Sequence, residues 1–192
     1  MDPLATANDD ARMTGKNHVA PGTHLRPFEN GWAERVADWV TDDREVFLLA
    51  PKTPPPLTGE KVLAWTDERD YPRLLFLDHE SEPVAYGELH YMPRSTSHLW
   101  LGHLVVASDH RGRGLGVQLT TRLLTEAFTQ FQAKRVSLVV FPDNEAALRC
   151  YRRAGLIQVG EQKKYFETTR RHHRMIAMTI DRARYRRTYE RP

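Results

Sequence analysis

The segment Val105-Val106-Ala107-Ser108-Asp109-His110-Arg111-Gly112-Arg113-Gly114-Leu115-Gly116 constrains this chain more than any other. It joins an almost continuously apolar run, His98–Val106, to a stretch in which Leu115, Leu119, Leu123, Ala127 and Phe131 recur every four residues. The first pattern predicts a strand covered on both faces, and the second an amphipathic helix over Val117–Phe131. Three glycines at alternate positions between them let the backbone approach a ligand without obstruction by Cβ. Their N–H groups, added to the helix N-terminus, make a site for phosphate oxygens, with Arg111 and Arg113 supplying positive charge beside it. Two familiar phosphate loops do not fit. A Walker loop needs Gly-Lys-Ser/Thr, and Val117 follows Gly116. A dinucleotide fold needs G-x-G-x-x-G with an acidic residue about 20 positions later, a region held here by Lys134 and Arg135.

Around this loop the chain alternates between the two periodicities. His24–Phe28 reads as a short strand, Glu29–Val40 and Asp43–Leu49 as helices, and Thr58–Trp65 as the start of another. Pro51-Lys52-Thr53-Pro54-Pro55-Pro56 cannot continue a helix and reads as a rigid loop or a plain linker. Arg73–Leu77 and Pro83–Tyr91 are strands, separated by the turn signal Asp78-His79-Glu80-Ser81. After the loop helix come a β-branched strand, Val136–Phe141, and a helix that Asn144 caps and Gly155 ends. Two more strands, Gln158–Phe166 and Met175–Ile180, close the pattern. The order predicts an α/β or α+β mixed sheet with helices packed on it.

A length of 192 residues suits one domain, expected over 23–182, with a mobile arm at 1–22 and a basic tail at 183–192. From Lys163 to Pro192 there are ten Lys/Arg against three Asp/Glu, although the whole chain carries only +3. We read this end as a solvated tail or a sheet edge blunted by charge, with nucleic-acid binding the weaker alternative. No apolar run reaches the roughly 18–20 residues of a membrane helix, and the N-terminus has no leader-like apolar core, so a cytoplasmic protein is expected. The single cysteine, Cys150, excludes an internal disulfide. The adjacent His172 and His173 point oppositely on a strand, and no metal site is assigned.

About 30 residues past the glycines stands Asn144-Glu145-Ala146-Ala147-Leu148-Arg149-Cys150-Tyr151-Arg152-Arg153-Ala154-Gly155-Leu156. The pair R-x-x-G-x-G and N-x-x-A-x-x-x-Y-x-x-x-G-hydrophobic resembles motifs A and B of the GNAT superfamily of N-acetyltransferases. The match is close over 98–157 and looser from His24 to Ile180. Leu25-Arg26-Pro27-Phe28 is similar to the first strand of the ribosomal-protein and aminoglycoside acetyltransferase branches.

The resemblance implies a central, mostly antiparallel sheet whose fourth and fifth strands splay apart to admit the pantetheine arm of acetyl-CoA. Leu104, Val105 and Val106 would then present backbone groups to the pantetheine and thioester, an oxyanion donor there contributing on the order of 3 kcal/mol. Arg111, Gly112, Arg113, Gly114, Leu115 and Gly116 would hold the pyrophosphate, with Asn144 and Ala147 beside the arm. Tyr151 would protonate the departing thiolate. The implied activity is direct acetyl transfer to a primary amine of a peptide, a protein or a small molecule; a non-catalytic acyl-CoA sensor is the alternative, and a homodimer is compatible with either.

An alkyl ammonium, with a pKa of about 10, also needs a base. Where some ribosomal-protein acetyltransferases carry a glutamate, this chain has Val139. Glu88 leads the candidates, on the expectation that partial burial raises its pKa while it faces the cleft. His103 comes second and His90 third. The first two have a plain alternative: a solvent-facing charge for Glu88, a satisfied core residue for His103. Cys150 lies about 100° from Tyr151 round the helix and reads as a packed thiol.

Overall fold

The computed structural model of the chain describes residues 22–66, 70–77 and 80–190. The expected arm at 1–22, apart from Gly22, and residues 78–79 of the expected turn lie outside the described residues. The strands are β1 (Thr23–Pro27), β2 (Tyr71–Leu77), β3 (Pro83–Tyr91), β4 (His98–Val106), β5 (Arg135–Val140), β6 (Ile157–Phe166) and β7 (Arg171–Asp181). The helices are α1 (Ala33–Asp38), α2 (Asp43–Leu49), α3 (Gly59–Leu63), α4 (Leu115–Thr129), α5 (Glu145–Arg153) and α6 (Arg182–Tyr189). The strands form one sheet in the order β1-β2-β3-β4-β5-β7-β6. Every pairing is antiparallel except that of β4 with β5.

Strand alternation divides the core between the two faces of the sheet. Leu75 and Leu89 point to the face covered by Leu119, Leu123, Leu124 and Phe128 of α4. Leu74, Phe76 and Tyr86 point to the other, against Val36 of α1 and Val62 of α3. A third cluster places Phe47 and Leu48 of α2 against Phe141, Phe166 and Met175. Short helices are held by their caps: Asp42 accepts from the Glu45 N–H at 2.8 Å, and Thr58 from that of Lys61 at 3.4 Å. The single helix expected over Glu29–Val40 is a 3-10 turn, Asn30–Trp32, followed by the short α1.

The basic end departs from expectation. Residues read as a tail from 183 belong to α6, whose N-cap Asp181 accepts from the Arg184 N–H at 2.7 Å. Tyr185 is buried, its ring stacked on Phe128 with centroids 4.5 Å apart. Arg182 donates to the Phe128 and Ala133 carbonyls, and Arg184 to that of Gly155. Two of these arginines therefore satisfy carbonyls near the ends of α4 and α5.

Candidate active site

The opening of the sheet creates the site. β4 and β5 pair only from His98 with Arg135 to Trp100 with Ser137, although β4 runs on to Val106 and β5 to Val140. Past Trp100 the two strands part, and the gap widens into a cleft of about 1070 Å³. This is why β4, expected to be covered on both faces, is only half-buried at Gly102, His103, Leu104 and Val106. Leu104, Val105 and Val106 line one wall; Leu138, Val139 and Val140 line the other.

At one end lies the glycine loop. Gly112 has φ +78° and Gly114 φ +81°, the left-handed region that suits glycine, and Gly114 caps α4. Among the described residues, no acceptor is bonded to the N–H groups of Gly112 to Gly116, the orphan donors of a helix start. Gly112, Gly114, Leu115 and Gly116 line the cleft, as do Asn144, Ala147 and Tyr151 on the opposite side. Asn144 spends its side-chain oxygen on the Ala147 N–H at 3.2 Å, fixing the start of α5.

Of the two loop arginines, Arg111 lines the cleft but its guanidinium is engaged within the protein. The Arg111 guanidinium is bonded to Glu45 of α2 and to the Trp39 carbonyl at 2.6 Å, while its Nε donates to the Val106 carbonyl at 3.1 Å. Burial pushes the Glu45 carboxyl up, but Arg111 and Thr41 outweigh it and hold it below its usual value. Arg111 thus clasps the loop to α2. Arg113 is exposed and does not line the cleft. Arg149 and Arg153 do, one α-helical turn apart on α5; their i, i+4 spacing was the available signal.

The three candidate bases prove to be one network on β3 and β4. Glu88 is fully buried, opposite Gly102, and His90 lies on the same side of β3. A Cβ on Gly102 would sit 2.8 Å from His90 Nε2 and 3.3 Å from Glu88 Oε2, so the network occupies the space a larger residue would need. Between Tyr86 and Glu88 the register shifts by one residue, and His103 sits in that bulge with φ +43°. Bulges re-aim side chains, and a non-glycine residue in this region marks a conformation imposed by its surroundings.

Glu88 Oε2 faces His103 Nδ1 at 2.7 Å and His90 Nε2 at 2.6 Å, and Glu88 Oε1 accepts from the Tyr86 hydroxyl at 2.5 Å. Burial pushes the Glu88 carboxyl up, but hydrogen bonds from His103, His90 and Tyr86 prevail and bring it down to about 2. This corrects the expectation of a raised, cleft-facing glutamate: Glu88 is a buried carboxylate beneath the cleft. A carboxylate only accepts, so both facing imidazole nitrogens carry hydrogen. His90 Nδ1 lies 2.6 Å from Asp70. Burial lowers the His90 pKa, but Glu88 and Asp70 overcome it and raise the value, so His90 is locked as a donor at both ends. His103 alone keeps a free ring nitrogen, Nε2, without a partner among the described residues. Its ring lines the cleft and stacks on Trp65 with centroids 4.3 Å apart. Trp65, Asp70 and Tyr86 also belong to this network, and none of them carries a sequence signal for it.

Tyr151 is half-buried, and burial pushes its hydroxyl well above the ordinary tyrosine value, keeping it protonated. Cys150 also lines the cleft, its Sγ 3.7 Å from the Thr120 hydroxyl, and burial pushes the thiol up, which argues against a thiolate nucleophile.

The parted strands, the helix start at Gly114 and the His103–Glu88 pair meet at this one cleft. Residues 28–156 match the Acetyltransferase (GNAT) family, and the chain belongs to that family. It is 28% identical over 144 residues to a mycothiol acetyltransferase of Paenarthrobacter aurescens; the match takes in 71% of this chain but only 43% of that protein's length. Its fold is that of spermidine N-acetyltransferase from Vibrio cholerae, solved with CoA and spermine (TM-score 0.71, 18% identity, 85% of this chain and 98% of that one). It is also that of the aminoglycoside acetyltransferase AAC(6')-Ib, solved with coenzyme A and kanamycin (TM-score 0.65, 20% identity, 86% and 98%).

Proposed function

We propose that the protein transfers the acetyl group of acetyl-CoA to a primary amine by direct attack, with His103 as base and Tyr151 as acid. The observation that carries this is the position of His103: it lines the cleft, one ring nitrogen is held by buried Glu88, and the other has no partner among the described residues. The residues present suit the cofactor, since the loop N–H groups are free for a pyrophosphate and the parted strands leave room for an extended arm. Arg149 and Arg153 add positive charge along the same side. When bound, acetyl-CoA supplies an activated thioester.

His103 Nε2 takes a proton from the ammonium of the acceptor, leaving the lone pair that attacks. Glu88 fixes the ring by holding Nδ1–H and stabilises the imidazolium formed, the part a buried carboxylate plays behind a catalytic histidine. Tyr151 gives its proton to the departing sulfur. Val139 needs no acidic counterpart here, because the base stands across the cleft on β4. The same proposal sets the reaction in the cytoplasm; no helix among the described residues is long and apolar enough to cross a membrane. A homodimer through the C-terminal strands belongs to it too, supported by edge strand β6, which exposes Ile157, Val159 and Tyr165.

The test is thiol release from acetyl-CoA across a panel of amines, with His103→Gln and Tyr151→Phe beside the wild type. Each variant should lose on the order of 10²-fold or more in kcat while binding acetyl-CoA as before. Full turnover in His103→Gln would remove the assigned base, and acetyl-CoA binding with no amine turned over would favour the sensor alternative.

A further inference from the structure

Resting on that reading, the charges around the cleft also bear on the acceptor. Of the described residues that line it, only Glu45 is acidic, and its carboxylate is clasped by Arg111. Glu88 and Asp70 are held by imidazoles beneath the surface, with Glu88 fully buried. Among the described residues, an acceptor with several positive charges would find no free carboxylate here.

The cations are distributed differently. Arg149 and Arg153 line the cleft from α5, whereas Lys52 lines it from the α2–α3 connection and Lys164 from β6. That connection is joined to the β6–β7 hairpin: the Thr168 hydroxyl donates to the Pro51 carbonyl at 2.5 Å, and Lys164 Nζ lies 5.7 Å from the centre of the Phe166 ring. It is also tied to the proposed base. Next to Lys52, Thr53 accepts from Trp65 Nε1 at 3.0 Å, and Trp65 stacks on His103. The neighbouring Lys61 is different, because its ammonium is spent on the Pro54 and Pro56 carbonyls at 2.8 and 2.6 Å. Lys52 and Lys164 are exposed, and neither has a carboxylate partner among the described residues. They are near enough that the charge of Lys52, after burial, helps lower the Lys164 pKa. Two like charges set together beside a cleft cost energy that an anionic ligand returns.

We propose that the acceptor is an aminocarboxylate, its carboxylate held by Lys52 and Lys164 while its amine faces His103. A free amino acid and the N-terminus of an acidic peptide present the same chemistry, and the test carries both.

Thiol release is measured with ω-amino acids of increasing chain length, their matched carboxamides, an acidic and a basic peptide, spermidine and kanamycin. Calorimetric titration with acetyl-CoA runs in parallel. Wild type should favour the best aminocarboxylate over its carboxamide by about tenfold or more in kcat/KM. Lys52→Gln and Lys164→Gln should each remove most of that preference through KM, leaving carboxamide turnover and acetyl-CoA affinity within about twofold. Preference for spermidine or kanamycin, equal use of acid and amide, or lysine variants that weaken acetyl-CoA binding instead would overturn the acceptor assignment and leave acetyl transfer standing. Acetyl-CoA bound with no member of the panel acetylated would also overturn it. Failure of acetyl-CoA to bind the folded protein would instead remove the activity on which the assignment rests.

Discussion

Glu88 takes hydrogen bonds on both carboxylate oxygens, from His103 and His90 on one and from Tyr86 on the other. Its place on an alternating strand marked it as a candidate beside His103 and His90. The three competed because a one-residue bulge leaves no trace in hydrophobic periodicity. With His103 at φ +43°, the bulge brings histidines from two strands onto one carboxylate oxygen. Their hydrogen bonds then reverse the shift that burial alone would give. Glu88→Gln should cost roughly 3 kcal/mol in urea unfolding at neutral pH, since it leaves two half-buried imidazoles facing an amide at a fully buried position. The pH dependence has a definite sign. A carboxyl held at about 2, against 4.5 in the unfolded chain, contributes stability above 4.5 that is lost as pH falls toward 2. His90 is raised from 6.5, so its contribution is complete below 6.5 and is lost as pH rises through its folded value. Wild-type stability should therefore be greatest between about pH 4.5 and 6.5 for this network, and Glu88→Gln should flatten the acid limb. An unchanged acid limb would mean Glu88 is not held as a carboxylate.

At the scale of elements, the glycine loop, α4, β5 and α5 follow from periodicity, caps and glycine placement, and their bounds agree closely with expectation. What a linear pattern conceals is the partner of each exposed charge. Arg111 was expected at the pyrophosphate, yet it holds Glu45, 66 positions away. Glu45→Gln separates the two roles. If the clasp positions the loop, the variant should bind acetyl-CoA several-fold more weakly by calorimetry, with stability falling less than about 1 kcal/mol for a half-exposed pair. Tighter binding would show that the freed arginine prefers the cofactor. Helix α6 was hidden for the opposite reason, because its many arginines masked Asp181 as a cap and Tyr185 and Tyr189 as an inward pair at i, i+4. Tyr185→Ala should lower stability by about 3 kcal/mol in urea unfolding, as truncation of a buried aromatic does. A loss below 0.5 kcal/mol would restore the picture of a solvated end.

For the whole molecule, the organising fact is that β4 and β5 pair for three residues and then part. Both strands could be read from sequence, but their separation could not, since it depends on what packs between and around them. The cleft that opens there is lined by the glycine loop, His103, Trp65, Lys52 and Lys164. The account stands on acetyl-CoA occupying it. The direct measurement is a calorimetric titration of the protein with acetyl-CoA, beside a Gly114→Glu variant whose melting curve shows it folded. Saturable binding at micromolar concentration that the variant weakens at least about tenfold is the predicted result, because a side chain at φ +81° is strained and a carboxylate there repels phosphate. Absence of binding to the folded wild type, or equal binding by both proteins, would contradict it.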